Sequence, residues 1–213
     1  MVRFSIFGIP VEIQPWFWLT LGLLGSLWTG DGASAAGILM IFLFILAGFI
    51  SVLVHELGHA LVGRKFGAQT AITLHAFGGY ALFPGANFTR WQDFLVTAAG
   101  PAVQVVLGGI FLAISLTAEG IPPLGRSFVF FVWIISFYWA LLNLIPMLPL
   151  DGGRLLASIL GPDRIGLTLK IGIGVGVLTA ITILYFTGRP FFPMFLGLMA
   201  FQNWQELNHR RRP

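Results

Sequence analysis

Residues 37–63 read GILMIFLFILAGFISVLVHELGHALVG, an apolar run that carries three ionisable side chains near its end. At about 1.5 Å per residue in a helix, this run is long enough to cross a hydrocarbon core of roughly 30 Å. Ionisable groups inside a membrane are costly unless they are paired, hydrated or bound to metal, so they mark a functional site. The stretch therefore predicts a membrane-spanning helix with a site inside it.

The ionisable residues of this helix form the motif His55-Glu56-Leu57-Gly58-His59. Because an α-helix makes one turn in 3.6 residues, His55 and His59 lie one turn apart on the same face and can both bind one zinc ion. Glu56 between them can act as a general base on water. The alternative is that both histidines are incidental core residues, but that would leave Glu56 buried without compensation.

The composition of the chain is that of an integral membrane protein. Of its 213 residues, 57% are hydrophobic and 9% are charged, and the mean hydropathy is +0.89, whereas about a quarter of the residues in a soluble domain are charged. We expect one membrane-embedded domain over residues 1–213. The net charge of +4 comes without a clustered basic face, so no nucleic-acid partner is expected. Because the chain has no cysteine, any metal must rely on histidines and carboxylates.

Outward from this helix, the hydropathy predicts an all-α membrane fold with six transmembrane helices. Between the second and third helices, glycines and prolines interrupt residues 66–90, which favours a re-entrant β-hairpin whose two strands are joined by Gly78-Gly79. An alternative for the first helix is a signal peptide, because Arg3 precedes it and Ala33-Ser34-Ala35 follows it. The predicted spans are 16–28, 37–63, 94–118, 128–145, 169–186 and 191–205, and the predicted hairpin strands are 71–77 and 80–83.

The distribution of basic residues supports this topology. With six spans, ten of the twelve lysines and arginines fall on the side of both termini, and only Arg126 and Arg189 fall on the other side. By the positive-inside rule, both termini are expected to be cytoplasmic, in a multi-pass protein of the plasma membrane. The ten are Arg3, Arg64, Lys65, Arg90, Arg154, Arg164, Lys170, Arg210, Arg211 and Arg212.

A catalytic zinc site usually has three protein ligands and one water, so a third ligand must come from elsewhere in the chain. Most carboxylates belong to chain ends or connections, and Asp93 lies where a helix cap would lie. Asp151, in a glycine-flanked stretch predicted to be unwound after the fourth span, is the remaining candidate. Its negative charge offsets that of Zn²⁺ in a low dielectric. His75 competes as a nitrogen ligand, although a hydrogen bond to backbone or water is a simpler role for it.

Four motifs follow one another along the chain. They are His55-Glu56-x-x-His59, Phe77-Gly78-Gly79, Gly100-Pro101 and Asn143-x-x-Pro146-x-x-Pro149-Leu150-Asp151-Gly152-Gly153. In this order and spacing they resemble the site-2 protease family of intramembrane zinc metalloproteases. The resemblance covers the chain from about the second span to Arg154.

The resemblance implies that His55, His59 and Asp151 bind one Zn²⁺ per chain and that Glu56 is the catalytic base. It implies that Asn143 positions the substrate or its reacting carbonyl, although a structural role at a helix break is an alternative. The expected activity is hydrolysis of peptide bonds in single-pass transmembrane proteins or peptides within the lipid bilayer.

The resemblance also implies that the hairpin lies near the active site, where Phe77, Gly78 and Gly79 are the expected substrate contacts. An extended substrate can add to the edge of such a hairpin as a further strand. The family often has Asn or a small polar residue shortly after Gly-Pro, but this chain has Gln104, to which no role is assigned. The chain has no room for the PDZ or nucleotide-sensing domains of some relatives, so it resembles a minimal member.

A metal transporter or a non-proteolytic metal-bound scaffold is the rival function. A transporter is expected to distribute polar residues through several spans, and the fifth and sixth predicted spans have almost none. The sequence leaves the substrate and the oligomeric state open.

Overall fold

The structure is a computed structural model that describes residues 1–30 and 34–210. Ala33, Arg211 and Arg212, on which parts of the signal-peptide and topology predictions rest, lie outside these ranges. The strands are β1 (Val2–Ile6), β2 (Ile9–Ile13), β3 (Ala71–His75) and β4 (Gly78–Leu82). The helices are α1 (Pro15–Thr29), α2 (Ala35–Lys65), α3 (Arg90–Thr117), α4 (Pro123–Asn143), α5 (Asp151–Leu160), α6 (Ile165–Thr187) and α7 (Phe191–His209), with a 3-10 turn at Pro162–Arg164.

Four helical segments in the described part of the chain are long and apolar enough to cross a membrane. They are α2, α3, α4 and the segment Pro162–Thr187, which contains α6. These segments coincide with the second to fifth predicted spans, so the prediction of a largely helical, multi-pass membrane protein is confirmed. Helix α1, with 15 residues, and helix α7 are not among them.

A four-stranded sheet in the order β1-β2-β3-β4 replaces the isolated hairpin of the sequence prediction. The prediction of an all-α fold was wrong for residues 2–13, which form β1 and β2. These strands pair antiparallel with Arg3 opposite Glu12, and β2 pairs parallel with β3. The local signal was present, since Ile9-Pro10-Val11-Glu12-Ile13 alternates apolar and non-apolar residues and buries its three apolar side chains.

The second hairpin has a different register from the predicted one. Gly78 and Gly79 do not form the turn, because they are the first two residues of β4 and pair with His75 and Leu74. The turn is instead made by Ala76 and Phe77. The glycines are explained by close packing, described below, and not by turn geometry.

The chain forms two compact units. The first comprises Met1–Asn87 and Ala99–Ala140, and its main core lies where β2 and β3 pack on α1 and α2. The side chain of Ser34 caps α2 by accepting a hydrogen bond from the backbone N–H of Gly37 at 3.0 Å. The buried core residues are Ile9, Val11, Ile13, Phe17, Leu21, Val52, Leu53, Ala60, Ile72 and Leu74.

The second unit comprises Phe88–Ala98 and Leu141–Pro213. Its core consists of Met147, Leu150, Leu196, Met199 and Ala200, so the loop before α5 packs on α7. This core fixes the segment that presents Asp151.

Candidate metal centre

The two histidines of α2 converge inside the first unit. His55 and His59 are 3% and 5% exposed, and their Nε2 atoms lie 3.1 Å apart. Their rings are nearly perpendicular, with an angle of 83° between the ring planes. One turn of helix therefore directs two imidazole nitrogens at one point, as the sequence predicted.

This arrangement fits a zinc ion. Zinc binds histidine nitrogens at about 2.0–2.1 Å with tetrahedral angles, which places two such nitrogens about 3.3 Å apart. The separation of 3.1 Å between the two Nε2 atoms matches that requirement closely. The donors are also of the right chemical type, since imidazole nitrogen is a preferred zinc ligand.

Helix α3 packs against the histidine motif at two glycines. A β-carbon at Gly100 would collide with the imidazole of His59. A β-carbon at Gly58 would lie 2.6 Å from both the carbonyl oxygen of Ala99 and Cγ2 of Val103. This contact explains the glycine of the Gly100-Pro101 motif, because the ring of His59 packs directly against Gly100.

Gln104, one turn further along α3, contacts the other nitrogen of His55. Its Oε1 lies 2.9 Å from Nδ1 of His55, and the Gln104 side chain is fully buried. No role for Gln104 was predicted from the sequence. The available signal was a polar amide within an apolar span, four residues after the glycine of the Gly-Pro motif.

Strand β4 lies directly against Glu56, which is 3% exposed. A β-carbon at Gly79 would lie 2.6 Å from Cγ and 2.8 Å from Oε1 of Glu56. A β-carbon at Gly78 would likewise lie 2.7 Å from the ring of Trp139 on α4. Because β4 is at the edge of the sheet, the buried glutamate lies beside a strand whose outer side has no partner strand in the described chain.

Two further candidates, His75 and Phe77, lie at the end of β3 and in the turn of this hairpin. The side chain of Phe77 is 65% exposed. The Nδ1 atom of His75 accepts a hydrogen bond from the backbone N–H of Phe77 at 3.3 Å, and partial burial lowers the pKa of His75 from its usual value. This bond to the hairpin backbone is the simpler role expected for His75.

Asp151 is in the second unit, where it is 7% exposed and lies in the first turn of α5. The prediction that residues 151–153 are unwound was wrong, because they are helical and the break lies before them. β-Carbons at Gly152 and Gly153 would collide with the backbone of residues 144–148, so the glycines are needed for packing. Asn143 is half-buried and is the last residue of α4.

Three hydrogen bonds hold the surroundings of Asp151 within this unit. The Nδ2 atom of Asn203 donates to the carbonyl oxygens of Leu148 and Met199 at 2.5 and 2.8 Å. Asp93 accepts a hydrogen bond from Ser158 on α5 at 2.5 Å. Asp93 therefore ties the start of α3 to α5.

Known proteins are similar to this chain in sequence and in fold. The profile of peptidase family M50 matches residues 43–125, which contain the histidine motif, the hairpin and Gln104. The protein named "Putative zinc metalloprotease sll0528" of Synechocystis sp. is 37% identical over 185 residues, or 81% of this chain and 48% of that protein. The protein named "Putative zinc metalloprotease YwhC" of Bacillus subtilis is 31% identical over 53% of this chain and 67% of that protein.

A solved structure extends the similarity to nearly the whole chain. The site-2 protease from Methanocaldococcus jannaschii matches with a TM-score of 0.60 and 28% identity, covering 95% of this chain and 94% of that chain. The chain spans about half the length of the Synechocystis relative. On these similarities, the chain belongs to peptidase family M50, the family of site-2 proteases.

Proposed function

We propose that this chain is a zinc-dependent intramembrane protease that hydrolyses peptide bonds of transmembrane substrates. The observation that carries the proposal lies within the first unit: two imidazole nitrogens converge at 3.1 Å, and the adjacent Glu56 packs against β4, the edge strand of the sheet. These are the parts that peptide hydrolysis needs, namely a metal site, a base and a surface that holds an extended peptide.

In this proposal, His55, His59 and Asp151 hold one zinc ion, and Asp151 is the ligand that balances its charge. The assignment of Asp151 as a ligand is supported by its burial, its carboxylate chemistry and the hydrogen bond from Asn203 to the loop that precedes it. Bound zinc supplies Lewis acidity that polarises the scissile carbonyl and activates water.

Glu56 is the catalytic residue that takes the proton from the attacking water and delivers it to the leaving amine. Its position supports this role, because its side chain packs against β4, the strand to which the substrate would add. Asn143 is placed at the end of a helix, where its amide can donate a hydrogen bond to the developing oxyanion. Such a bond is worth more in a water-poor site than in water.

The substrate binds by adding as a strand to β4. A transmembrane helix hides its carbonyls in its own hydrogen bonds, so it must unwind before cleavage, and an open edge supplies replacement partners. Gly78 and Gly79 let the backbone of β4 come close to Trp139 and Glu56, and the exposed Phe77 offers an apolar contact beside that edge. Main-chain pairing favours an extended peptide with little sequence preference.

The proposal also includes the membrane topology. Residues 1–213 form one membrane-embedded protease domain with six spans, in which α1 and α7 join the four longer segments and the hairpin is re-entrant. Both termini are cytoplasmic and the membrane is the plasma membrane, as the excess of basic residues on that side supports.

The test uses the purified chain reconstituted into lipid vesicles with a model single-pass substrate. We expect cleavage that stops when a chelator removes zinc and returns when zinc is added, without movement of zinc across the vesicle membrane. Zinc flux without cleavage would contradict the proposal and favour the transporter.

A further inference from the structure

A chain of four buried polar side chains links three helices of the first unit. His55 Nδ1 lies 2.9 Å from Oε1 of Gln104, and Nε2 of Gln104 donates to Oγ of Ser51 at 2.9 Å. Ser51 in turn lies 3.0 Å from Oγ of Ser136. Gln104, Ser51 and Ser136 are fully buried. This series of hydrogen-bonded side chains is therefore isolated from bulk water.

The backbone carbonyl of Ser51 determines which way the amide of Gln104 faces. The Ser51 hydroxyl can donate or accept, so it does not distinguish the two ends of the amide. The Ser51 carbonyl oxygen can only accept, and it lies 3.4 Å from the amide end that faces it. That end must therefore be the NH₂ group, and the oxygen of Gln104 must face His55.

The orientation of Gln104 in turn determines the tautomer of His55. An amide oxygen accepts but does not donate, so Nδ1 of His55 must carry the hydrogen in a bond of 2.9 Å. In a neutral imidazole, Nε2 is then the nitrogen with the free electron pair. This is the atom of His55 that lies 3.1 Å from Nε2 of His59.

We propose that Gln104 is a positioning residue for zinc binding, which holds His55 in the tautomer and ring orientation that direct its Nε2 electron pair at the metal. This inference rests on the proposed zinc site, but its test is separate from proteolysis. A hydrogen bond from the second ring nitrogen of a metal-binding histidine to an acceptor typically contributes 10- to 100-fold to metal affinity. Ser51 acts on the metal only through Gln104, by fixing which end of the amide faces His55.

The test measures the zinc dissociation constant of three variants by competition with a chelator. Gln104→Met keeps the length of the side chain but removes the acceptor, and we expect about 10- to 100-fold weaker binding. Gln104→Glu, as the neutral acid, keeps a carbonyl oxygen facing Nδ1 and an O–H group that can donate to the Ser51 oxygens, so it should bind zinc about as tightly as the unmodified protein. Ser136→Ala, at the far end of the chain of bonds, is the matched control and should bind within about twofold.

A second readout is the tautomer of His55 itself. In metal-free protein with ¹⁵N-labelled histidine, we expect proton–nitrogen correlation spectra to show the hydrogen on Nδ1 of His55, and to show loss of that preference in Gln104→Met. This readout stands even if the Gln104→Met variant is less stable. Hydrogen on Nε2 in the unmodified chain, or Gln104→Glu binding zinc as weakly as Gln104→Met, would overturn the proposal.

Discussion

Gly79 brings the edge strand of the sheet into contact with Glu56. A β-carbon at this position would lie 2.6 Å from Cγ of Glu56, closer than the 3.0 Å below which real β-carbons essentially never approach a neighbour. The strand therefore approaches the glutamate only because residue 79 has no side chain. The strand proposed to bind substrate is therefore in direct contact with Glu56, the proposed base.

The first prediction concerns the size of residue 79. Gly79→Ala should displace either β4 or Glu56 and reduce the cleavage rate about 10- to 100-fold, because small misplacements of reacting groups are costly. Zinc content should stay at that of the unmodified chain, since the histidines are not displaced. Cleavage by Gly79→Ala at the original rate would show that this contact is not needed.

A second prediction concerns Gly100. Gly100→Ala places a methyl group against the imidazole of His59 and should weaken zinc binding by at least about tenfold, measured by chelator competition. Gly109→Ala on the same helix is the matched control, because a β-carbon there meets nothing within 4 Å. The control should bind zinc normally. Equal zinc affinities in the two variants would contradict the role given to Gly100.

A third prediction distinguishes strand addition from other modes of substrate binding. Proline has no backbone N–H, so a proline scan through the substrate should remove one potential bond to β4 at a time. In an added strand, alternate N–H groups face the edge, so cleavage should fall at every second position. The measurement is the cleavage rate along the scan. If the cleavage rate fell at successive proline positions without alternating between one position and the next, strand addition would be excluded.

A fourth prediction tests the loop that presents Asp151. Asn203→Leu removes the donor to the Leu148 carbonyl and should lower the free energy of unfolding by about 1–3 kcal/mol. Zinc affinity should fall as well, although less than in Asp151→Ala, which removes the ligand itself. The neighbouring Gln202 is exposed, and Gln202→Leu should change stability by less than about 0.5 kcal/mol.

Short sequence patterns predicted those parts of the structure that depend on interactions between residues close together in the sequence. The long apolar runs predicted the central membrane helices, and the spacing of His55 and His59 predicted their convergence on one face. Burial of Asp151, 92 residues after His59, agrees with its choice by elimination among the carboxylates.

Predictions from the sequence were wrong or missing where the structure depends on contacts between segments that are distant in the chain. Gly78 and Gly79 resemble a hairpin turn, but they are glycines because Trp139 and Glu56 occupy the space that side chains would need. The parallel pairing of β2 with β3 joins residues about 60 positions apart, which no local pattern indicates. Gln104 was overlooked for the same reason, since its partners Ser51 and His55 belong to another helix.

The most direct test of the central claim is to measure zinc content and substrate cleavage on the same preparation of Glu56→Gln. Gln has the size of Glu but cannot take a proton from water, and it is not a proposed zinc ligand. The account predicts about one zinc per chain and no detectable cleavage, whereas His59→Ala should lose both. Persistent cleavage by Glu56→Gln with zinc bound would contradict the account.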